Sequence, residues 1–166
     1  MIRPTRISFG GTAGVVTSMA LITGLHAANA KTGTIVSALL IAAVADNLTD
    51  SLSVHMYQES ERLEQRAAFS GTLANFATRF LVCLSFVLIT VLFRQPLTGV
   101  VGVAWGMSLL TALTYVLAHE RKVSTVSEVA KHLAVASVVI IVSGGIGQWI
   151  ASHVDTLLAT WQSAAP

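Results

Sequence analysis

The sequence IVSALLIAAVADNLTD, residues Ile35–Asp50, determines how the whole chain is interpreted. Its first eleven residues are apolar apart from Ser37, as expected for a helix that crosses a membrane. Two aspartates, Asp46 and Asp50, then follow one helical turn apart. Because an aspartate at the centre of a membrane helix costs roughly 2.5–3.5 kcal/mol, these two carboxylates require a physical cause.

The composition of the chain is typical of a membrane protein. Of its 166 residues, 54% are hydrophobic and 11% are charged, and the mean hydropathy is +0.72. Soluble domains carry about 25% charged residues. The charges here cluster between long apolar runs, as in a polytopic membrane protein. A net charge of +2 spread over several loops forms no basic stripe, so we expect no nucleic-acid binding.

Five segments are apolar over about the 20 residues that a membrane-spanning helix requires. The sequence therefore predicts an all-α protein with a single membrane domain over residues 1–166. The predicted spans are residues 7–28, 33–57, 73–93, 98–118 and 133–152. The first span also resembles a secretory signal peptide that ends at Ala28-Asn29-Ala30, but its core is rich in Gly and Thr rather than Leu.

The loop charges predict the orientation of the chain. With a cytoplasmic N-terminus, eight basic residues fall on the cytoplasmic side and two on the other side. The eight are Arg3, Arg6, Arg62, Arg66, Arg79, Arg121, Lys122 and Lys131, and the two are Lys31 and Arg94. Because basic residues accumulate in cytoplasmic loops, we expect a multi-pass protein of the inner (cytoplasmic) membrane, with its N-terminus inside and its C-terminus outside.

Asp46 and Asp50 form the predicted functional centre. With Ser53 they recur at i, i+4 and i+7, so an α-helix places them on one face, flanked by Asn47 and Thr49. Two carboxylates about 6 Å apart along the helix axis do not both ionise in a low dielectric without a counter-ion. A divalent cation would allow both to ionise and would release a proton as it bound. Asp46, Asp50, Asn47 and Thr49 are therefore the predicted metal ligands of a proton-coupled cation transporter.

The same two aspartates also fit two roles that involve no metal. One aspartate could be protonated, or paired with Arg79 or the backbone, solely to fix helix packing. Alternatively, the two carboxylates could form a proton relay in a channel or carrier for another small solute. The sequence leaves both roles open.

The cytoplasmic end of the second span offers further candidates for metal binding. They are His55, Met56, Glu59 and Glu61. His55 and Glu59 lie at i and i+4, so both side chains could reach one ion at the cytoplasmic mouth of a pathway. The alternative is a solvated helix end, in which the charges of residues 61–66 pair among themselves.

The remaining motifs predict packing rather than chemistry. Two glycine-rich stretches, Gly10–Gly14 and Gly144–Gly147, predict close approach of helices. The single cysteine, Cys83, is predicted to be a small apolar filler. No nucleophile–base–acid set, CxxC pair or HExxH motif occurs in the sequence, so we expect neither an enzyme nor a bound cofactor.

With these residues identified, the chain resembles the vacuolar iron transporter (VIT) family. Gly14–Thr17 is similar to the Gly-Leu-Val-Thr-like element of the first helix in that family. Residues Ala45–Val54, followed by Gln58-Glu59, are similar to a second helix that reads roughly Ser-Met-Ala-x-Gly-Glu-Tyr-Leu-Ser-Val. Lys131 and Gly144–Gly147 resemble the closing span.

The resemblance implies a homodimer of five-helix protomers that exports Fe²⁺ or Mn²⁺ from the cytoplasm, in exchange for protons, along a path near the dimer axis. The chain departs from the family pattern at four places. Ala13 occupies the position of a usual aspartate, and Asp46 and Asp50 replace a methionine and a glutamate. Residues 59–72 are too few for the cytoplasmic metal-binding domain of larger members. The alternative function is therefore a non-transporting VIT-like module that serves as a structural or assembly partner.

The predicted orientation can be tested with alkaline phosphatase, which is active only outside the cytoplasm, fused to the full chain. A fusion after Pro166 is expected to be active, and an insertion after Lys122 is expected to be inactive, because these residues lie on opposite sides of the last predicted span. Activity after Lys122 without activity after Pro166 would contradict the predicted orientation.

Overall fold

The computed structural model describes residues 4–60, 65–154 and 160–161, with side chains described for residues 10–57, 69–154 and 160–161. Over these residues the chain is helical and has no β-strand, which confirms the predicted all-α class. The helices are α1 (Pro4–Ala27), α2 (Thr32–Ile41), α3 (Asn47–Ser60), α4 (Gln65–Leu92), α5 (Leu97–Glu120) and α6 (Thr125–Trp149). A π-helical turn, Ala42–Asp46, joins α2 to α3, and a second, Ile150–Val154, extends α6.

Four of the described helical segments are long and apolar enough to cross a membrane. They are Thr32–Tyr57, Phe69–Leu92, Leu97–Glu120 and Thr125–Val154, and each overlaps one of the last four predicted spans. Many large apolar side chains on these segments are not covered by the rest of the chain, and Val100 and Ile141 are 69% and 72% exposed. Such surfaces suit a hydrocarbon environment better than water, so the structure supports a multi-pass membrane protein.

The first predicted span forms α1, which is not among those four segments. Its side chains are described only from Gly10 to Ala27, which leaves out residues 7–9 at the beginning of the predicted span. It packs against α2, α4, α5 and α6, and its side chains Val15, Met19 and Ile22 are buried. Helix α1 is therefore the central helix of the bundle, and its small polar residues contact protein.

Side chains from five helices meet in the apolar core. Met19 of α1, Leu39 of α2, Phe86 of α4, Leu110 of α5 and Ala136 of α6 are all buried in one cluster. Within a bilayer, helices gain little hydrophobic energy by associating, because lipid is as apolar as leucine. Close van der Waals contact in this cluster is therefore the main attraction between the helices.

The glycines let α1 approach its neighbours closely. A Cβ added at Gly147 would collide with the backbone oxygen of Gly24, so α6 and α1 nearly touch at this point. A Cβ added at Gly14 would lie 3.1 Å from Cγ of Arg79 on α4. The predicted close-packing role is therefore observed at both positions, whereas Gly145 of the same α6 stretch has open space around it.

Two helices are each followed, two residues after their end, by a residue with a positive φ angle. Asn29 (φ 57°) follows α1, and the backbone N–H of Ala30 donates to the carbonyl oxygen of Leu25 at 2.9 Å. Lys122 (φ 53°) follows α5, and Val123 donates in the same way to Ala118 at 3.2 Å. These bonds satisfy carbonyl groups that a helix end otherwise leaves free. The predicted break at Arg94-Gln95-Pro96 separates α4 from α5.

The α1–α6 contact predicts opposite effects for two neighbouring glycines. Gly147→Ala is expected to destabilise the protein by about 1–3 kcal/mol, because its methyl group meets backbone that cannot turn away. Gly145→Ala is the matched control and is expected to be neutral or stabilising by up to ~1 kcal/mol, because alanine favours a helix over glycine. Thermal unfolding of the purified protein in detergent measures both effects, and equal midpoints for the two variants would contradict the proposed contact.

Candidate functional site

The π-helical turn Ala42–Asp46 lies in the middle of the second membrane segment. A π-helical turn uses i→i+5 hydrogen bonds and so inserts one extra residue into an α-helix. As a result, Leu39, Ala43, Asn47 and Ser51 all remain buried at steps of four residues. Asp46 lies off this buried row and is exposed. The turn therefore decides which polar side chains face the bundle.

Asp50 forms an ion pair with Arg79 of α4. Arg79 is 4% exposed, whereas the Asp50 side chain is 39% exposed. The pair lies within two segments that are long and apolar enough to span a membrane. The carboxylate therefore neutralises a buried cation on one side and remains open on the other. Pairing of an aspartate with Arg79 was one of the roles that the sequence left open, and the structure contains this pair.

Further polar side chains surround the ion pair at the junction of α1, α3 and α4. Nδ2 of Asn47 donates to the backbone oxygen of Phe76 at 2.8 Å. Asn75 lies one turn before Arg79, is 1% exposed and is adjacent to Gly10 of α1. Several buried polar atoms have no hydrogen-bond partner among the described residues. They are Oδ1 of Asn47, Oγ of Ser51, both side-chain polar atoms of Asn75, and Nε of Arg79. The junction therefore contains hydrogen-bond donors and acceptors without partners, next to the charged guanidinium of Arg79.

The polar row on α4 continues beyond Arg79. Asn75, Arg79 and Cys83 recur every four residues, and all three are buried. The Ser18 hydroxyl of α1 donates to Sγ of Cys83 at 3.6 Å. Cys83 is therefore buried as predicted, but it accepts a hydrogen bond on a polar face instead of filling an apolar one.

The outer face of the second segment carries Asp46, Thr49 and Ser53, which are all exposed. Thr49 donates to the backbone oxygen of Ala45 at 3.0 Å, and Ser53 donates to that of Thr49 at 3.0 Å. Both hydroxyls therefore donate to backbone oxygens of their own helical segment. Asp46 has no hydrogen bond or ion pair within the described part of the chain. The predicted ligands are thus divided, with Asn47 and Asp50 against α4 and with Asp46 and Thr49 on the uncovered face.

The predicted cytoplasmic mouth is described in part. The Nδ1 atom of His55 lies 3.4 Å from the Thr72 hydroxyl of α4, and Met56 is exposed. The Glu59 side chain and the whole of Glu61 lie outside the described residues. Across the parts of the chain that the structure describes, no three His, Cys, Asp or Glu side chains come close enough to hold a metal ion. A three-ligand site built from these residue types would therefore need residues beyond those described here or a second copy.

Comparison of the chain with protein-family models, curated proteins and solved structures finds no match. The resemblance to the VIT family therefore remains a prediction that depends on its short motifs.

Sequence reasoning named Arg79 only as an alternative partner of the aspartates, and it did not name Asn75. The charge pattern places Arg79 with the cytoplasmic loop residues, but it lies inside Phe69–Leu92 and is buried. The count of basic residues outside the predicted spans becomes seven against two, which leaves the predicted orientation unchanged. The spacing of Asn75, Arg79 and Cys83 at i, i+4 and i+8 could have revealed a polar helix face.

The ion pair predicts unequal effects for the two aspartates. Asp50→Asn is expected to destabilise the protein by roughly 3 kcal/mol, because Arg79 stays buried without a carboxylate partner. Asp46→Asn is the matched control and is expected to change stability by less than ~0.5 kcal/mol, because this side chain is exposed and unpaired. Chemical unfolding in mixed detergent micelles measures both.

A double variant separates loss of the pair from loss of the aspartate itself. Asp50→Asn combined with Arg79→Gln removes both charges and is expected to recover most of the lost stability. If the double variant were as unstable as the sum of the two single variants, the ion pair would not be coupled and the assignment would be wrong.

Proposed function

We propose that this chain is a carrier that exports a divalent transition metal ion, Fe²⁺ or Mn²⁺, from the cytoplasm in exchange for protons. In this proposal it acts as a homodimer of five-span protomers in the inner membrane, with the N-terminus inside. One observation carries the proposal. Asp46 is exposed within an apolar helical segment, one turn from the half-open carboxylate of Asp50.

An exposed aspartate at this depth is expensive if it faces lipid. The cost is roughly 2.5–3.5 kcal/mol near the centre of a membrane helix. The cost falls if the side chain meets water, a cation or another protein surface instead. A second copy related by a two-fold axis along this face of α3 would bring two Asp46 and two Asp50 side chains together. Such an arrangement supplies the ligands that one described protomer lacks.

The available ligands favour hard or borderline cations. Carboxylate and amide oxygens suit Mn²⁺ and Fe²⁺ better than they suit an ion that seeks thiolates. Protons compete with a metal ion for carboxylate oxygens, so binding of the metal releases protons and return of the protons releases the metal. This linkage gives the proposed exchange and requires no resident cofactor.

A second function, a non-transporting membrane module, is supported by a different observation. Asp50 already has a partner in Arg79, and the described residues contain no cluster of three metal-ligating acids, histidines or cysteines. An ion pair of this kind can serve helix packing alone. The two functions differ in whether the purified protein moves a metal.

Metal flux into liposomes that contain the purified protein distinguishes the carrier from the non-transporting module. With a metal-sensitive dye and a pH-sensitive dye inside, the wild type is expected to move Mn²⁺ or Fe²⁺ and protons in opposite directions. Asp46→Asn is expected to reduce the metal flux by about tenfold or more, because changes close to a metal site typically cost 10–100-fold in affinity or activity.

Glu128→Gln is the control, because Glu128 is a carboxylate whose partner Lys131 lies one turn away on the same helix, far along the chain from the aspartates. Its metal flux is expected to equal that of the wild type. Flux that survives in Asp46→Asn would overturn the site, and a wild type without metal flux would favour the non-transporting module.

A further inference from the structure

Asp50 lies between a buried cation and an open carboxylate. On its buried side it pairs with Arg79, and on its open side Asp46 lies one helical turn away. We propose that Arg79 is an intrinsic counter-ion that competes with the transported divalent cation for Asp50. Arg79 would thus be a specificity-determining residue for the proposed carrier. The inference rests on the proposed function and adds to it the residue that occupies the site when the metal is absent.

The surroundings of Arg79 hold its guanidinium close to Asp50. The side chain is 4% exposed, and its Cγ would lie 3.1 Å from a Cβ added at Gly14 of α1. Helix α1 contributes Gly10, Gly14 and Ser18 to this side of the junction, and none of them is charged. Among the described residues, Asp50 is the carboxylate that forms an ion pair with Arg79, and Asp46 is the second carboxylate nearby. A cation that binds Asp50 must displace this guanidinium.

The unpartnered polar atoms give Arg79 an alternative position. When a cation takes Asp50, the N–H groups of Arg79 need other acceptors, because a buried donor without a partner is costly. Oδ1 of Asn75 is unpartnered and lies one turn away on the same helix, and Oδ1 of Asn47 is unpartnered on α3. These neutral oxygens can accept the guanidinium N–H groups while the metal holds the carboxylate. The proposal thereby accounts for polar atoms that helix packing leaves unused.

Competition with the guanidinium of Arg79 favours divalent ions over monovalent ions. A monovalent ion that replaces Arg79 beside Asp50 gains no more Coulomb energy than Arg79 provided, and it also loses its hydration. A divalent ion gains about twice the Coulomb energy at the same distance. Arg79 is therefore expected to exclude Na⁺ and K⁺ from the site while a divalent ion can still enter.

Binding of Mn²⁺ alone to the purified full chain tests this inference without measuring transport. The loss of the free Mn²⁺ signal in electron paramagnetic resonance reports binding at one fixed pH. Arg79→Gln is expected to tighten Mn²⁺ binding by at least about tenfold, because a neighbouring charge changes the affinity for a single proton by one to three powers of ten. It is also expected to let Na⁺ at roughly 100 mM, near physiological ionic strength, compete for the site, which the wild type resists. Arg79→Lys keeps the charge and is expected to bind Mn²⁺ within a few-fold of the wild type.

A second variant keeps the test decisive if Arg79→Gln does not fold. Asn75→Leu removes the proposed alternative acceptor without changing any charge. It is expected to weaken Mn²⁺ binding several-fold, because the displaced guanidinium then lacks one acceptor. The same substitution removes two unpartnered buried atoms, so the thermal midpoint is expected to stay equal or to rise. Unchanged Mn²⁺ affinity in Asn75→Leu would overturn the inference.

The outcomes separate this inference from the proposed function. If the wild type binds Mn²⁺ and Arg79→Gln binds it equally or more weakly, Arg79 has a structural role and the inference alone fails. If neither protein binds Mn²⁺ while both are folded, the proposed function fails and the inference fails with it. Tighter binding in Arg79→Gln, with Na⁺ competition gained at the same time, supports both.

Discussion

A charge in an apolar bundle must be neutralised close by, and the Asp50–Arg79 pair meets this constraint between α3 and α4. Moving an ion from water into a low-dielectric interior costs several kcal/mol even after relaxation. Arg79 is almost completely buried, so its position is acceptable because a carboxylate lies against it. The relative placement of α3 and α4 therefore depends on this contact, and so does the arrangement of Asn47, Ser51 and Asn75 around it.

The central position of α1 follows from the same requirement for close contact. Gly10 and Gly14 present no side chain to α4, and this leaves room for Asn75 and Arg79 on the facing helix. Larger side chains at these two positions would hold α4 away from α1. They would also separate the polar row of α4 from the helix that packs over it. The small residues of α1 thus suit a helix that is surrounded by protein.

Much of the architecture was predictable because it depends on local patterns. The length of each apolar run predicted the helical segments, Pro96 predicted the break before α5, and the spacing of small residues predicted the contact at Gly147. The all-α class follows from these elements without knowledge of packing. These features depend on residues that are near one another in the chain, so a periodic reading of the sequence recovers them.

The candidate site was predicted less well because it depends on contacts between distant residues. The cost of a carboxylate in lipid identifies Asp46 and Asp50, but it does not choose among their alternative partners, of which Arg79 was one. The charge count placed Arg79 on the cytoplasmic side, although Arg79 lies inside the predicted span 73–93, because a count ignores which face of a helix a residue occupies. The π-helical turn was missed because no residue between Ala42 and Asp46 signals it.

The turn at Ala42–Asp46 also makes this helix sensitive to changes in length. Removing one residue there would restore a regular α-helix, and every residue after it would rotate by about 100° relative to α2. Asn47 and Asp50 would then turn away from α4, while exposed leucines such as Leu48 and Leu52 would turn inward. The extra residue in the π-helical turn thus fixes the rotation of the polar half of this helix relative to its apolar half.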